Sequence, residues 1–336
     1  MIEEEQVYQP DIQRPRPMKF LSKKIILDKL GEGSYGKVYK IQDTETREIT
    51  AIKVFKFKSC ENGIHGSSLR EISLLQQLHQ YRKIENIVEI KSINVLEDEI
   101  HLELEFCDTD LFHFIRNNSN NPGVYNLTAI KRIIYQIIKG VSEIHKQRMM
   151  HRDLKPGNIL IKDGVCKIAD FGLARQFTLP HQIYTRKVST LWYQAPELVI
   201  GLGNYSEAVD IWAIGCIFAE LICKEPIFPA EDDLSMLRNL VSAFGNFTNN
   251  EELLPGCRFF ENYQLLQSLN LDEIPFQGFF EIIKSKAKFN VSFEMLDLLN
   301  KFLQVDPNKR ITCLEALEHP YFTRNENDSS ANAFFI

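Results

Sequence analysis

A chain of 336 residues, 44% hydrophobic and 25% charged, holds enough apolar material for a sizeable core in one large domain or two lobes. With 39 Lys and Arg against 45 Asp and Glu, the net charge of −6 weighs against electrostatically driven nucleic-acid binding. The N-terminus has no apolar signal core, the longest apolar stretch (211–223) falls short of the roughly 20 residues that span a bilayer, and the 7 scattered cysteines fit reduced thiols of the cytosol or nucleus better than a disulfide framework.

Residues 1–19 are acidic, then Pro-rich, without periodicity, and read as a disordered tail. From Lys19 to Phe57 the pattern gives three β-prone runs, broken by the Gly-rich "GEGSYG" and the polar turn "DTETRE". "SSLREISLLQQLHQ" (67–80) reads as a helix, with Ser67 or Ser68 as cap and Glu71 in a capping-box-like position. "IVEIKSINVLEDEIHLELEF" (87–106) returns to strand character around an acidic turn. Beyond residue 110 helices dominate. Ile130, Ile133, Ile134, Ile137, Ile138, Val141 and Ile144 share one face of the first. A polar stretch from His151 leads into a short hairpin at 158–172 and an irregular segment to Glu197. Helical patterns then cover 210–223, 233–244 and 294–304, the first apolar nearly all round and so a buried central helix.

The chemistry concentrates in a few short motifs. Gly31, Gly33 and Gly36 have G-x-G-x-x-G spacing, which lets backbone N–H groups approach phosphate oxygens. A dinucleotide fold shares this spacing but wants a helix next; "KVYKI" and "ITAIKVF" are strand-like instead. Lys53 sits inside the apolar run "AIKVF", where a lysine is costly unless paired, and Glu71 on the following helix is its natural partner. In "DLKPGNIL", Asp153 can orient a hydroxyl or take its proton, and Lys155 can offset charge on a transferring phosphoryl group. Asn158, with Asp170 of "ADFG", offers hard oxygen ligands suited to Mg²⁺.

Taken in order, "GEGSYGKV", "AIK", Glu71, "HRDLKPGN", "DFG" and "APE" resemble a eukaryotic protein kinase from Ile25 to Phe322. That resemblance implies an α+β, bilobal protein-kinase fold, with a small β-rich N-lobe (20–107), a larger helical C-lobe (108–322) and a C-terminal tail (323–336). It implies ATP and Mg²⁺ as cofactors, Lys53 on the ATP phosphates with Glu71 as its ion-pair partner, Asp153 as base beside Lys155, and Asn158 and Asp170 as metal ligands. The nucleotide would lie among Gly31, Glu32, Gly33, Ser34, Tyr35, Gly36, Val38, Ala51, Lys53, Leu104, Glu105, Cys107, Asp110 and Leu160. Within that set Leu104 would be gatekeeper, and the backbone of Glu105 and Cys107 would bind adenine. Glu197 would pair with Arg310, and Asp210 would tie the central helix to the catalytic loop.

The finer resemblance is to cyclin-dependent kinases, through "SSLREISLL", "DFGLAR", "YTRKVSTLWY", "PIFPAEDD" and "VDPNKRI". It implies a cyclin or cyclin-like subunit docking on the 67–80 helix, protein substrates phosphorylated on Ser or Thr before Pro, and an upstream activating kinase. It carries no expectation of direct nucleic-acid or membrane binding, and it puts the chain in the nucleus, the cytoplasm or both. Thr185 would be the activation phosphosite, read by Arg70, Arg152 and Arg175. Ser34 and Tyr35 would be inhibitory phosphosites. Gln194 and Ser189 stand where the family usually has Arg and Val, positions that bear on the preference for Pro.

The alternatives are a mitogen-activated-type kinase, which expects T-x-Y where this chain has "IYTRK", and a pseudokinase scaffold, which would lack one of Lys53, Asp153 and Asp170. The cyclin-dependent reading carries a further expectation: in the lone chain Glu71 stays away from Lys53 until a partner rotates its helix.

Overall fold

A computed structural model describes residues 23–33, 36–56, 66–80, 82–96, 98–176, 191–201, 205–248, 250–257, 266 and 269–323. The tail segments 1–19 and 324–336, Ser34, Tyr35, Thr185 and Ser189 lie outside the described residues.

The N-lobe is an antiparallel five-stranded sheet of order β1-β2-β3-β5-β4. Its strands are β1 (Lys24–Gly33), β2 (Gly36–Asp43), β3 (Ile49–Lys56), β4 (Ile90–Val95) and β5 (Glu99–Glu105). Between β3 and β4 lies α1 (Gly66–His79), whose Ile72, Leu74, Leu75 and Leu78 are buried. Ile41, Ile52 and Val54 form a separate small cluster with Tyr39 against it. Gly36 has a steric reason: a Cβ there would stand 2.3 Å from the Val54 carbonyl oxygen.

Helix α1 begins one residue earlier than the sequence reading, so Ser67 and Ser68 fall inside its first turn instead of capping it. Glu71 is likewise no capping-box partner; its carboxylate is drawn to Lys53. Residues 87 and 88, read as the start of a strand, lie outside β4 and, with Asn86, bond to Ile168 of the other lobe. Val88 N–H donates to Ile168 O, and Ile168 N–H to Asn86 O, each at 3.0 Å.

The C-lobe starts with β6 (Thr109–Asp110) and α2 (Leu111–Asn118). Helix α3 (Leu127–Lys146) buries the isoleucine face the sequence marks, and Asn126 caps it through the Ala129 N–H at 2.9 Å. β7 (Met149–Met150) precedes the catalytic loop; β8 (Ile159–Lys162) and β9 (Val165–Ile168) form the expected hairpin. Its turn residues Asp163 and Gly164 have φ of +49° and +73°, the backbone that an Asp-Gly pair favours. After β10 (Arg175–Gln176) and α4 (Pro196–Val199) comes α5 (Ala208–Cys223), in which every residue is buried. It is the axis of the lobe, with α6 (Asp233–Phe244), α7 (Phe279–Lys286), α8 (Phe293–Phe302), α9 (Cys313–Leu317) and α10 (Pro320–Thr323) following. No helix among the described residues is long and apolar enough to cross a membrane, and the cysteines described are free.

Candidate active site

Strand β3 brings Lys53 to the cleft. Its Nζ lies 2.7 Å from both Glu71 carboxylate oxygens and 3.3 Å from Asp170 Oδ1. Burial pushes the Lys53 ammonium down, but the carboxylates of Glu71 and Asp170 outweigh it and hold its pKa above the ordinary value. The closed Lys53–Glu71 pair corrects the expectation that Glu71 stays away in the lone chain. Glu71 is buried and Lys53 largely so, and an unpaired charge here would carry a desolvation cost that the pair removes.

The catalytic loop runs from β7 to β8 and is fixed from below by Asp210. Its carboxylate accepts from the His151 and Arg152 backbone N–H groups, each at 2.8 Å, and from His145 Nε2 at 2.9 Å. That bracing accompanies a left-handed backbone at Arg152 (φ +69°), a conformation costly for a side-chain-bearing residue. Above it, Asp153 Oδ2 receives Lys155 Nζ and Asn158 Nδ2, each at 2.9 Å. Asn158 also donates to Asp153 O at 2.7 Å, and its backbone carbonyl accepts from Ala169 N–H at 2.9 Å, next to Asp170.

Asp170 is left-handed as well (φ +62°) and leaves its side chain 45% exposed. Burial pushes its carboxyl up, but Lys53, then His151 and Lys155, draw it below the ordinary value, so it is a carboxylate at neutral pH. Phe171 behind it is fully buried and meets the His151 ring edge-on at 4.9 Å. Asp153 and Asp170 therefore share one cleft: Lys155 touches the first and acts on the second.

Strand register places the remaining positions expected at the nucleotide. Gly31 pairs with Val38, Glu32 with Lys37, and Gly33 with Gly36, closing the Gly-rich hairpin. Val38 lies across from Lys53, and Ala51 across from Leu104. Glu32 is exposed and paired with Lys29 at 2.6 Å. Asp110 and Leu160 face each other across β6 and β8. The Asp110 carboxylate also caps α2, accepting from His113 N–H and Nδ1 at 2.8 Å each. Cys107 is half-buried, and burial, then the Glu105 carboxylate, pushes its thiol up to about 12.

The three arginines expected to read a phosphate approach one segment. Arg70 Nη1 donates to Gly172 O and Arg152 Nη1 to Leu173 O, each at 3.4 Å. Arg175 follows on β10, its buried Nε without a hydrogen-bond partner among the described residues.

Glu197 and Arg310 form the expected pair, bidentate at 2.6 and 2.7 Å. Gln194 is buried and lines a pocket with Arg152, Asp153, Tyr193, Leu198 and Asp210.

Sequence reasoning missed several contributors. His145 and His151 support the loop from both sides, and "HRD" marked only the second. Glu220 on α5 binds Tyr193 Oη at 2.6 Å, and Glu105 joins Lys167 at 2.8 Å. A charged residue at a buried position of an apolar helix or strand was the available signal for Glu220, Glu105 and Lys167.

A β-sheet lobe above a helical lobe, with a Lys–Glu pair and an Asp–Lys–Asn loop facing a second Asp, is the architecture of a protein kinase. The protein kinase domain model matches residues 25–322. Cyclin-dependent kinase B2-1 of Oryza sativa subsp. japonica is 38% identical over 300 residues, 88% of each chain. Cyclin-dependent kinase B2-1 of Arabidopsis thaliana is 39% identical over 88% of this chain and 92% of its own. Cyclin-dependent kinase B2-2 of the same plant is 39% identical over 90% and 94%. The chain thus belongs to the cyclin-dependent kinase family of Ser/Thr protein kinases.

Proposed function

We propose that this cleft moves the γ-phosphoryl group of ATP to a Ser or Thr hydroxyl of a protein, with Asp153 as the base. The observation that carries the reading is the meeting of Lys53 on β3, Asp153 and Asn158 on one loop, and Asp170 after β9, through the hydrogen bonds just described. Asp153, held by Lys155 and Asn158, orients the hydroxyl and accepts its proton. Lys155 offsets negative charge on the group in transfer, and Lys53, fixed by Glu71, holds the nucleotide phosphates. The backbone of Glu105 and Cys107 holds adenine.

The donor set fits magnesium. Asp170 supplies a partly exposed carboxylate, and Asn158 spends its amide nitrogen on Asp153, leaving Oδ1 as donor. The described residues hold no cluster of three His, Cys, Asp or Glu side chains, which suits an ion that takes its other ligands from phosphates and water. When bound, the ion neutralises phosphate charge.

Regulation follows the same family pattern. A helical, cyclin-like subunit docks on α1, where Leu69 is 49% exposed on the helix that carries Glu71. Because the Lys53–Glu71 pair is already closed, the partner stabilises this position of α1 instead of creating it. A phosphate added to Thr185 by an upstream kinase meets Arg70, Arg152 and Arg175, and the unpartnered Nε of Arg175 supports this. Phosphate on Ser34 or Tyr35 opposes ATP. Substrates carry Pro after the target residue, with Gln194 setting how strictly, and the protein works in the nucleus, the cytoplasm or both.

The test is a phosphate-transfer assay on the native chain and Asp153→Asn, with and without co-purified partner. Equal signals from both proteins would favour a scaffold. Full activity of the lone chain would remove the cyclin and favour a mitogen-activated-type kinase.

A further inference from the structure

The segment Glu105–Asp108 joins the lobes, and its first residue carries a buried carboxylate. Glu105 is 4% exposed and Lys167, on β9 of the other lobe, 5%. Lys167 Nζ stands 2.8 Å from Glu105 Oε1 and 2.9 Å from Glu85 O. The same Oε1 accepts the Glu89 backbone N–H at 2.9 Å, while Glu105 N–H donates to Glu89 O at 3.0 Å. Lys162 on β8 adds a more distant cation, 3.5 Å from Oε2. One carboxylate thus ties the connecting segment, the lead into β4 and the β8–β9 hairpin.

Neighbouring contacts point the same way. Asn86 Nδ2 donates to Cys166 O at 3.0 Å. Gly140 on α3 admits residue 86 closely; a Cβ there would lie 2.8 Å from Asn86 O. The next residue of the connector, Phe106, lies under Lys40 of β2, with Nζ 4.2 Å from the ring centroid. Consecutive side chains of the connector are therefore held by lysines from opposite lobes.

We propose that the Glu105–Lys167 pair is a positioning device for the nucleotide base: it fixes the path of the connecting segment so that its backbone groups meet adenine. The inference rests on the reading that adenine binds along Glu105–Cys107. Neither side chain needs to touch ATP. Removing Glu105's charge leaves Lys167 buried without its counter-ion, and removing Lys167 leaves Glu105 with only the more distant Lys162; either relaxes by moving the segment on which the base lies.

The experiment uses the full chain, with its activating partner if one is required. It compares native protein, Glu105→Gln, Lys167→Met, Lys167→Arg and the Glu105→Gln/Lys167→Met double variant. KM for ATP, KM for peptide, kcat and Tm are measured, with adenosine and inorganic triphosphate as competitors of ATP. Glu105→Gln and Lys167→Met should each raise the ATP KM by about fivefold to tenfold, a size typical of coupled neighbours. They should weaken competition by adenosine in parallel, with peptide KM and triphosphate competition unchanged. Lys167→Arg should lie closer to native than Lys167→Met, and the double variant should be no worse than the poorer single one.

A lower Tm and kcat with ATP KM and adenosine competition within twofold of native would reduce the pair to a structural role and overturn the proposal. A fall in ATP KM would overturn it too. If native protein transferred phosphate but adenosine did not compete with ATP, the adenine reading itself would be at fault, a result separate from failure of the pair. Should Lys167→Met not fold, Glu105→Gln, which keeps an acceptor for the Glu89 N–H, carries the same test.

Discussion

Two buried charge clusters of this molecule differ in what they leave open. At Arg310 the guanidinium gives two hydrogen bonds to Glu197 and further ones to the carbonyls of Gln304, Val305 and Ala208, and the two side chains are at most 1% exposed. At Lys53 the ammonium also faces a buried carboxylate, Glu71, but a second one, Asp170, is 45% exposed. The first cluster is sealed and can only hold structure. The second keeps a carboxylate facing the cleft, which a structural pair would not need.

The sharpest way to break the comparison is to take one group from each. Asp170→Asn should lower phosphate transfer by about a thousandfold or more, the scale at which electrostatic groups act on a transferring phosphoryl group. Its Tm should stay near native, since the Lys53–Glu71 pair survives. An Asp170→Asn protein with more than a tenth of native activity would remove the working cluster. Arg310→Met should do the reverse. It leaves Glu197 buried without a counter-ion, at a cost of about 3–5 kcal/mol in urea unfolding. A loss below about 1 kcal/mol would mean that Glu197 finds water or another donor, and that the lock is not sealed.

Much of this contrast was readable in the residues. Glycine spacing, a lysine in an apolar strand and "HRDLKPGN" marked the working cluster because catalysis forces unusual residue types into short spans. The isoleucine stripe marked α3, and the unbroken apolar run marked α5. Other features hide because they depend on distant chain. Nothing local to Glu105 says that Lys167, 62 positions on, will meet it. Ser67 looked like a cap, yet α1 begins at Gly66. The closed position of Glu71 is a matter of tertiary packing, which a helical pattern leaves undetermined.

Glu220 sharpens the comparison as a third buried charge, whose hydrogen-bond partner is a phenol. Burial pushes its carboxyl up to about 7, and the Tyr193 hydroxyl opposes this only in part. A carboxyl raised on folding binds its proton more tightly in the native state. Stability therefore falls as pH rises from its unfolded value of 4.5 to about 7, then levels off. That interval amounts to about 3 kcal/mol. Glu220→Gln, which keeps an acceptor for Tyr193, should flatten this decline between pH 5 and 7.5 in thermal melts. A native Tm that does not fall across that range, or a variant that declines in parallel with native, would assign the pH dependence to other groups.

The smallest effect concerns Asp110, which caps a helix and which the kinase resemblance also expects beside the nucleotide. Its carboxylate caps α2 as a structural group does, while its backbone pairs with Leu160 across β6 and β8. Asp110→Asn keeps a cap of nearly equal strength and removes the charge, whereas Asp110→Ala removes both. If capping is the whole role, Asp110→Ala should lose about 1 kcal/mol and Asp110→Asn only a few tenths, with ATP KM at the native value in both. If the carboxylate also holds the nucleotide, both variants should raise the ATP KM alike while their stabilities differ. Stability and KM thus vary independently across the pair, which separates the helix cap from the nucleotide contact.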